Sequence, residues 1–175
     1  MAVSVDGYAA KPDGDLGWIF PGFDDALRSW VIESLSETDT QLIGGINYQE
    51  QAQFWPTSTD ELAPLINGSL KIVFSSSLKT LEWNNSRLAE AAPAQVIAEL
   101  KQQPGKHIYV TGGAGLARSL SSQGLIDEYR LMVQPVVLGS GLPLFQDQID
   151  LKLLDTKVFG TGALVLIYEP TAGKE

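Results

Sequence analysis

Three closely spaced glycines, Gly112, Gly113 and Gly115, are the residues whose types and spacing most clearly indicate ligand binding. They follow an apolar run at 107–110 and precede a helix-like segment at 116–122, which predicts a strand, a tight turn and a helix N-terminus. Glycine lets the backbone approach a ligand closely, and the free N–H groups of a first helical turn bind anions such as phosphate. The segment therefore predicts either a nucleotide-binding turn or a strand-to-helix connection that needs glycine for packing.

Two other predicted strands end in small polar residues of the same kind. These segments are Gly44, Gly45, Ile46 and Asn47 after the apolar run 41–43, and Ser75, Ser76 and Ser77 after the run 70–74. In open α/β sheets, ligands bind beyond the carboxyl ends of the strands. Together with the glycine cluster, these turns predict a cradle of backbone N–H groups for one extended ligand. The alternative is that all three segments are ordinary turn sequences.

The N-terminal part of the chain offers a second set of candidate side chains, those of Asp6, Trp18 and Asp24. Asp6 follows the predicted strand 1–5, and a glycine-containing loop leads from it to Trp18. Such a loop can close over a pocket as a lid, and a carboxylate beside an indole can hold a polar heterocycle. The alternative for Asp6 is that its carboxylate caps a turn. Asp24 begins a predicted helix, where capping is its default role.

The elements that must position these residues alternate between strand and helix over the first two-thirds of the chain, and strands fill the last third. The predicted helices lie at 24–35, 60–66, 94–103 and 114–122, and the predicted strands at 1–5, 41–43, 70–74, 108–110, 129–138, 151–159 and 163–168. Residues 160–162 form the predicted hairpin turn between the last two strands. This order predicts an α/β fold with a mostly parallel sheet and an antiparallel edge. We expect one domain over residues 1–170 and a loose tail at 171–175.

The composition narrows the kinds of partner that the chain can bind. Its net charge of −9 argues against nucleic acid and anionic membrane surfaces, because both attract clustered Lys and Arg. The chain has no Cys and a single His, so we expect no disulfide and no metal site, and we interpret His107 as structural rather than catalytic. No apolar run reaches the roughly 18 residues of a membrane span, and the N-terminus lacks the features of a signal peptide. We therefore expect a cytoplasmic protein that acts on a small molecule.

The order of these motifs resembles the dihydrofolate-reductase-like superfamily and, within it, the C-terminal reductase domain of the bifunctional riboflavin-biosynthesis deaminase–reductase. The matching segments are 4–10, 13–14, 42–44 with Tyr48 and Glu50, 73–75, 100–101 with 104–106, 110–113 with Leu116, Leu120 with 124–128, 135–141 with 144–145, and Gly162 with 168–169. The resemblance runs almost from end to end, and the order and spacing of the segments carry it.

The resemblance implies a three-layer α/β fold with a mainly parallel central sheet, flanking helices and a C-terminal antiparallel hairpin. It also implies NADPH as cofactor and hydride transfer to an electrophilic carbon of the substrate. Gly112 and Gly113 are then expected to hold the cofactor pyrophosphate, with Ala114, Gly115 and Leu116 behind them.

The same resemblance implies positions for the rest of the cofactor and for the substrate. The strand ends at Gly44 and Ser75, with their neighbours Gly45, Asn47 and Ser76, are expected to approach the adenosine half. The nicotinamide is expected against Ala9 and Ala10. The substrate ring is expected between Asp6, Trp18 and the helix that begins at Asp24, with Asp6 and Trp18 as the catalytic candidates.

The chain departs from the family pattern at two cofactor positions. The family usually has Gly-Arg-x-Thr-Tyr where this chain has Gly44-Gly45-Ile46-Asn47-Tyr48, and Ser-Arg where it has Ser75-Ser76. Arginine makes paired, charge-assisted bonds to phosphate, so these side chains are the natural partners of the NADPH 2′-phosphate. Losing one such contact costs about 1.5–3 kcal/mol. NADPH is then bound more weakly, NADH is an alternative cofactor, or the site holds no dinucleotide.

Three functional hypotheses follow from the residues and the resemblance. The first is a nicotinamide-dependent reductase of a small heterocyclic or ribosylamino compound, resembling the 5-amino-6-(5-phosphoribosylamino)uracil reductase step of riboflavin biosynthesis. The second is dihydrofolate reductase activity. The third is a non-catalytic nucleotide- or ligand-binding protein with a degraded cofactor site. By analogy we also expect a homodimer, with the apolar strand 163–168 at the two-fold axis.

Overall fold

A computed structural model of the chain describes residues 1–171, and the expected loose tail lies outside the described residues apart from Thr171. The strands are β1 (Ala2–Ser4), β2 (Tyr8–Ala10), β3 (Thr38–Gly44), β4 (Leu70–Phe74), β5 (Ser86–Leu88), β6 (His107–Gly112), β7 (Tyr129–Gln134), β8 (Leu142–Pro143), β9 (Leu151–Val158) and β10 (Leu164–Pro170). The α-helices are α1 (Asp25–Ser36), α2 (Gly45–Phe54), α3 (Ala63–Gly68), α4 (Pro93–Lys101) and α5 (Ala114–Ser122). Two 3-10 helices cover Gly17–Gly22 and Trp55–Thr57. Within the described residues, no helix combines the length and the apolar character that crossing a bilayer requires.

The described chain forms two compact units, which we treat separately. Residues 1–28 together with the chain from residue 117 make up the terminal unit, and residues 29–116 make up the central unit. The helices α1 and α5 each begin in one unit and continue into the other.

The central unit is built on a parallel four-stranded sheet with the strand order β5-β4-β3-β6. Its inner strands carry Leu42, Ile43, Ile72 and Val73, which are at most 1% exposed. Such continuous apolar runs are typical of parallel strands that are covered on both faces. The core cluster of this unit comprises Leu35, Ile43, Tyr48, Leu62, Ile66, Val73 and Trp83.

The terminal unit contains a second four-stranded sheet, in the order β1-β7-β10-β9, and the small antiparallel pair β2-β8. β1 runs parallel to β7, whereas β10 is antiparallel to both of its neighbours. The hairpin between β9 and β10 turns where it was expected, at Gly162, whose φ of 86° is readily adopted only by glycine. An α/β fold with a parallel sheet, helices and C-terminal antiparallel strands is therefore confirmed.

The position of β10 bears on the expected two-fold contact through residues 163–168. β10 is hydrogen-bonded to β7 on one edge and to β9 on the other. Edge-to-edge pairing of β10 with a second copy would therefore require one of these neighbours to leave. β9, next to β10, is the edge strand at one end of this sheet, and it exposes Leu153, Leu154 and Val158.

The largest difference from the sequence prediction is the helix α2. We expected a turn at residues 44–47, but Gly45 already begins a ten-residue helix. Tyr48 is its only buried residue, so its sequence has no apolar stripe at helical spacing. The short strands β2, β5 and β8 were also missed, and the predicted strand 129–138 ends at Gln134, because Pro135 has no N–H to continue the ladder.

The helix predictions with clear end signals agree well with the structure. Residues 114–122 form α5 with the predicted bounds. α4 begins at Pro93, at the position that proline favours in a first helical turn. The predicted helix 60–66 is displaced towards the C-terminus, at Ala63–Gly68.

One buried cation lies in the core of the central unit. Lys71 is fully buried on β4, and its Nζ donates to the carbonyl oxygens of Asn67 at 3.0 Å and Ser69 at 2.8 Å. The ammonium also lies 4.5 Å from the centroid of the Trp83 ring, a cation–π contact. Burial lowers the pKa of Lys71 from 10.5 to about 8, because desolvation disfavours the charged form.

We expect Lys71 to make the stability of the chain depend on alkaline pH. Between pH 8 and 10.5 the unfolded chain holds a proton that the folded chain releases, so the free energy of unfolding should rise with pH in this window. Urea unfolding of the wild type and of Lys71→Met at pH 7.5 and 9.5 measures the effect. From pH 7.5 to pH 9.5, the free energy of unfolding of the wild type should rise by about 1–2 kcal/mol relative to that of Lys71→Met, since one pKa unit is about 1.4 kcal/mol. If the two proteins differ in free energy of unfolding by the same amount at both pH values, the lowered pKa of Lys71 is contradicted.

Candidate functional site

The central unit brings the three predicted turns to one edge of its parallel sheet. β3 lies between β4 and β6, with Gly44 paired to Phe74 and Ile43 paired to Gly112. The turns after these strands begin with Gly45, Ser75 and Gly113. Because the strands are parallel and nearly in register, all three turns leave the sheet at its carboxyl edge, where α/β proteins bind ligands.

The ends of β3 and β6 approach each other closely. A Cβ added at Gly44 would lie 3.9 Å from the carbonyl oxygen of Gly112 and 4.0 Å from the amide nitrogen of Gly113. Gly112, the last residue of β6, is joined to Gly113 by a cis peptide bond. The ends of the two strands therefore lie within van der Waals range of each other.

The side chain of Asn47, in the first turn of α2, packs on the Gly112–Gly113 peptide. A Cβ at Gly112 would lie 3.1 Å from Asn47 Cγ, and a Cβ at Gly113 would overlap Asn47 Oδ1. Asn47 Nδ2 donates to Glu50 Oε2 at 3.3 Å, one turn along the helix. A side chain at position 113 would therefore require the end of the Asn47 side chain to move, whereas Gly115 has open space around it.

Gly45 and Ser75 form a second close contact between neighbouring turns. A Cβ at Gly45 would lie 2.6 Å from Ser75 Oγ and 2.8 Å from Ser75 Cβ. Ser75 Oγ accepts the N–H of Leu78 at 3.1 Å and that of Ser77 at 3.3 Å, so it holds the turn after β4. Position 45 consequently has no room for a side chain while Ser75 keeps this conformation, whereas Ser76 is exposed.

The two helix N-termini at this edge carry donors suited to an anion. Gly44 precedes α2 and makes no side-chain capping bond, and neither α2 nor α5 has an acidic residue in its first turn. The N–H groups of a first turn have no partner within the helix and carry the positive end of the helix dipole. Gly112, Gly113, Ala114, Gly115 and Leu116 form the turn into α5. A pyrophosphate fits this donor set, although no arginine stands at positions 45 or 76 to meet a further phosphate.

The terminal unit holds Asp6 in a hydrogen-bonded clamp. Ser4 Oγ donates to Asp6 Oδ1 at 2.6 Å, Leu138 N–H donates to Oδ1 at 3.1 Å, and Gly139 N–H donates to Oδ2 at 2.8 Å. Gly139 has a φ of 73°, which presents its N–H to the carboxylate. The Ser4 hydroxyl, and after it the backbone N–H groups, lower the pKa of Asp6. Asp6 is thus an ionised anchor for the loop after β7.

Trp18, Asp24 and the two alanines lie in the same unit. Trp18 is 9% exposed in the 3-10 helix Gly17–Gly22, and its indole N–H has no hydrogen-bond partner within residues 1–171. Asp24 Oδ1 accepts the N–H of Leu27 at 2.8 Å, so Asp24 caps α1 in its default role. Ala9 and Ala10 are both 7% exposed in β2, where Ala10 pairs with Leu142 of β8.

The single histidine and the acidic residues form no further cluster in the part of the chain that the structure describes. His107 is exposed at the start of β6, with Nε2 3.9 Å from Glu37 Oε2. No group of three His, Asp or Glu side chains among residues 1–171 has the arrangement of a metal site.

Gln134, at the end of β7, is among the buried polar residues that sequence analysis missed. Gln134 is 0% exposed, and neither atom of its amide has a hydrogen-bond partner among the described residues. The available signal was a lone amide that closes an otherwise apolar strand ahead of Pro135. Its burial depends on pairing with β1, which is far away in sequence.

Comparison with known proteins finds relatives that match nearly the whole chain. The family model described as the RibD C-terminal domain matches residues 1–165. The uncharacterized protein YyaP of Bacillus subtilis is 32% identical over 96% of this chain and 91% of its own length.

Two solved structures share the fold at low sequence identity. One is the diaminohydroxyphosphoribosylaminopyrimidine deaminase/5-amino-6-(5-phosphoribosylamino)uracil reductase of Thermotoga maritima, with a TM-score of 0.69 and 16% identity over 97% of this chain and 54% of that chain. The other is dihydrofolate reductase of Enterococcus faecalis, complexed with NADP(H), with a TM-score of 0.62 and 13% identity over 97% of this chain and 93% of that chain. The expected dihydrofolate-reductase-like fold is confirmed.

We expect Asp6→Ala to release the loop after β7. The substitution removes the acceptor of the Leu138 and Gly139 N–H groups, so hydrogen–deuterium exchange of these two amides, followed by NMR, should accelerate several-fold. In the wild type, the stabilisation by ionised Asp6 is present above its unfolded pKa and is lost as the pH falls through the lowered folded-state value. Asp13→Ala is the matched control, because Asp13 accepts only from the N–H of Asp15 among the described contacts. Unchanged exchange at 138 and 139 would contradict the clamp.

Proposed function

The chain belongs to the RibD C-terminal domain family, and from this premise we propose that it is a nicotinamide-dependent reductase of a small heterocyclic or ribosylamino compound. The proposed reaction resembles the reduction named for the Thermotoga maritima relative, 5-amino-6-(5-phosphoribosylamino)uracil reductase. The observation that carries the proposal is the convergence of three glycine- and serine-rich turns at one edge of the parallel sheet. The NADP(H) bound in the Enterococcus faecalis structure of the same fold supports a nicotinamide cofactor.

We assign the cofactor pyrophosphate to Gly112 and Gly113 and to the first N–H groups of α5, at Ala114, Gly115 and Leu116. These groups bind an anion through backbone donors and the helix dipole. The adenosine half is assigned to the neighbouring turns, with Gly44, Gly45, Asn47, Ser75 and Ser76. A nicotinamide bound in this way supplies a hydride, and the protein contributes orientation and electrostatics.

The substrate residues are proposed to be Asp6, Trp18 and Asp24, all in the terminal unit. Asp6 is a positioning residue in this proposal, because its ionised carboxylate already holds Ser4, Leu138 and Gly139. A proton required by the reaction then comes from water rather than from Asp6. Asp24 acts by fixing the start of α1, and Trp18 offers an indole N–H that has no partner among the described residues.

We propose that this chain prefers NADPH over NADH less strongly than a protein with arginines at positions 45 and 76 would. Ser75 fills the space beside Gly45, so the serine hydroxyls and backbone N–H groups are the donors available there. These groups compensate only in part for a guanidinium, which makes NADH an alternative to NADPH.

We expect Ser76→Arg to raise the affinity for NADPH and to leave that for NADH nearly unchanged. A new charge-assisted contact to the 2′-phosphate is worth about 1.5 kcal/mol or more, which corresponds to about a tenfold lower Kd. Titration with both cofactors, followed by their fluorescence, measures the ratio.

The control for this experiment is Ser122→Arg, which makes the same charge change at an exposed position at the end of α5. An equal gain in both Ser→Arg variants would show a general charge effect. If the wild type binds neither cofactor at millimolar concentration, the reductase proposal fails, and the non-catalytic binding protein becomes the better account.

We expect Gly113→Ala to weaken cofactor binding, because its Cβ displaces the side chain of Asn47 from the turn. Gly68→Ala is the matched control, since a Cβ at Gly68 meets no atom within 4 Å. Wild-type NADPH and NADH affinity in Gly113→Ala would argue against this turn as the pyrophosphate site.

A further inference from the structure

Glu50 brings a negative charge to the turn that we assign to the cofactor pyrophosphate. Its exposed side chain lies in the second turn of α2, and its Oε2 accepts a hydrogen bond from Asn47 Nδ2 at 3.3 Å. Asn47 in turn packs on the Gly112–Gly113 peptide, where a Cβ at Gly113 would overlap its Oδ1. One amide side chain therefore separates the carboxylate of Glu50 from the backbone of this turn.

The direction of the Glu50 side chain follows from the geometry of a helix. Side chains on a helix lean towards its N-terminus, so a residue of the second turn covers the first turn. The bond from Asn47, three residues earlier, holds the carboxylate there. The negative charge thus lies over the beginning of α2, at the carboxyl edge of the parallel sheet.

No cation is paired with this carboxylate in the part of the chain that the structure describes. Asn47 is its polar partner, and the ion pairs among residues 1–171 join other residues. Glu50 is also the one charged residue of α2, and positions 45 and 76 carry Gly and Ser. The charge of Glu50 therefore acts on the neighbouring turns without a paired counter-charge.

A carboxylate at this place opposes a bound anion in proportion to the charge of that anion. NADPH and NADH differ by the 2′-phosphate alone, which adds a charge of about −1.5 to −2 near neutral pH. Two contacts in series, from Glu50 to Asn47 and from Asn47 to the turn, put a phosphate bound there on the order of 8 Å from the carboxylate. Across that distance in water, the repulsion should weaken binding of the extra phosphate about three- to fivefold at low ionic strength.

We propose that Glu50 is a specificity-determining residue that disfavours the 2′-phosphate and shifts the cofactor preference from NADPH towards NADH. The inference rests on the proposed function and narrows its cofactor. It is independent of the missing arginines, because an absent guanidinium removes an attraction whereas a carboxylate adds a repulsion. If Glu50 served only to hold Asn47, its effect on binding would not depend on its charge.

The test is titration of the wild type, Glu50→Gln and Glu50→Lys with NADPH and with NADH, followed by cofactor fluorescence. Glu50→Gln keeps the shape of the side chain and an acceptor for Asn47 Nδ2, so it removes the charge alone. At about 10 mM salt, where the Debye length is about 30 Å, the ratio of the NADPH Kd to the NADH Kd should fall about three- to fivefold in Glu50→Gln. Glu50→Lys doubles the change in charge, so its ratio should fall roughly tenfold or more.

The salt dependence of this ratio separates a charge effect from a packing effect. At about 1 M salt the Debye length shrinks to about 3 Å, so the ratio of both variants should return to within about twofold of the wild-type value. A packing role would leave the ratio of the variants equally displaced at both salt concentrations. Because Glu50 is exposed, both variants should keep the thermal stability of the wild type, which thermal unfolding checks.

Glu99→Gln and Glu99→Lys are the matched controls. Gln95 Nε2 donates to Glu99 Oε1 at 2.9 Å, so Glu99 is a second exposed carboxylate bonded to an amide of its own helix. α4 runs back from β5 to β6, which places Glu99 near the amino edge of the parallel sheet, roughly 20 Å or one strand length from the turns. At that distance the same changes in charge should alter the ratio by less than about twofold.

An unchanged ratio in both Glu50 variants, with both cofactors bound, would overturn the inference and leave the reductase proposal standing. A shift of equal size in the Glu99 variants, or a shift that persists at about 1 M salt, would overturn it as well. If neither the wild type nor the Glu50 variants bind either cofactor at millimolar concentration, the reductase proposal and this inference are rejected together.

Discussion

The candidate cofactor site depends on the position of β3 between two parallel partners. Ile43 pairs with Val73 on one side and with Gly112 on the other, and all three lie in the buried interior of the sheet. A one-residue slip in either pairing would move every side chain of the shifted strand to the opposite face of the sheet, among different neighbours. The register therefore depends on packing on both faces of the sheet, and this register brings the three turns to a common edge.

Much of this arrangement could be predicted from local sequence. Apolar runs marked β3, β4 and β6, and the bounds of α5 followed from the glycines before it and after it. α2 could not be predicted in this way, because it begins directly at Gly45 and buries only Tyr48. For the same reason the local sequence at 44–47 indicates a turn, although these residues open a helix.

The candidate substrate residues show which contacts can be predicted from local sequence and which cannot. The capping role of Asp24 depends on Leu27, three residues away, and was predictable. The clamp at Asp6 depends on Leu138 and Gly139, more than a hundred residues later, and the burial of Gln134 depends on β1. Tertiary pairing decides both cases, so residue type alone could indicate candidate chemistry at Asp6 but gave no sign of Gln134. The site residues assigned to ligands remain predictions.

The contact between Gly45 and Ser75 also limits the paths by which such a protein can change during evolution. A side chain at position 45 meets Ser75 Oγ and Cβ, while Ser75 is held by the N–H groups of Ser77 and Leu78. The acceptability of a substitution at one position thus depends on the residue and rotamer at the other, which is epistasis between adjacent turns. Position 76, exposed on the same turn, is free of this coupling. A lineage that gains or loses a positive charge here is expected to pass through position 76 first and to change position 45 only once Ser75 has moved.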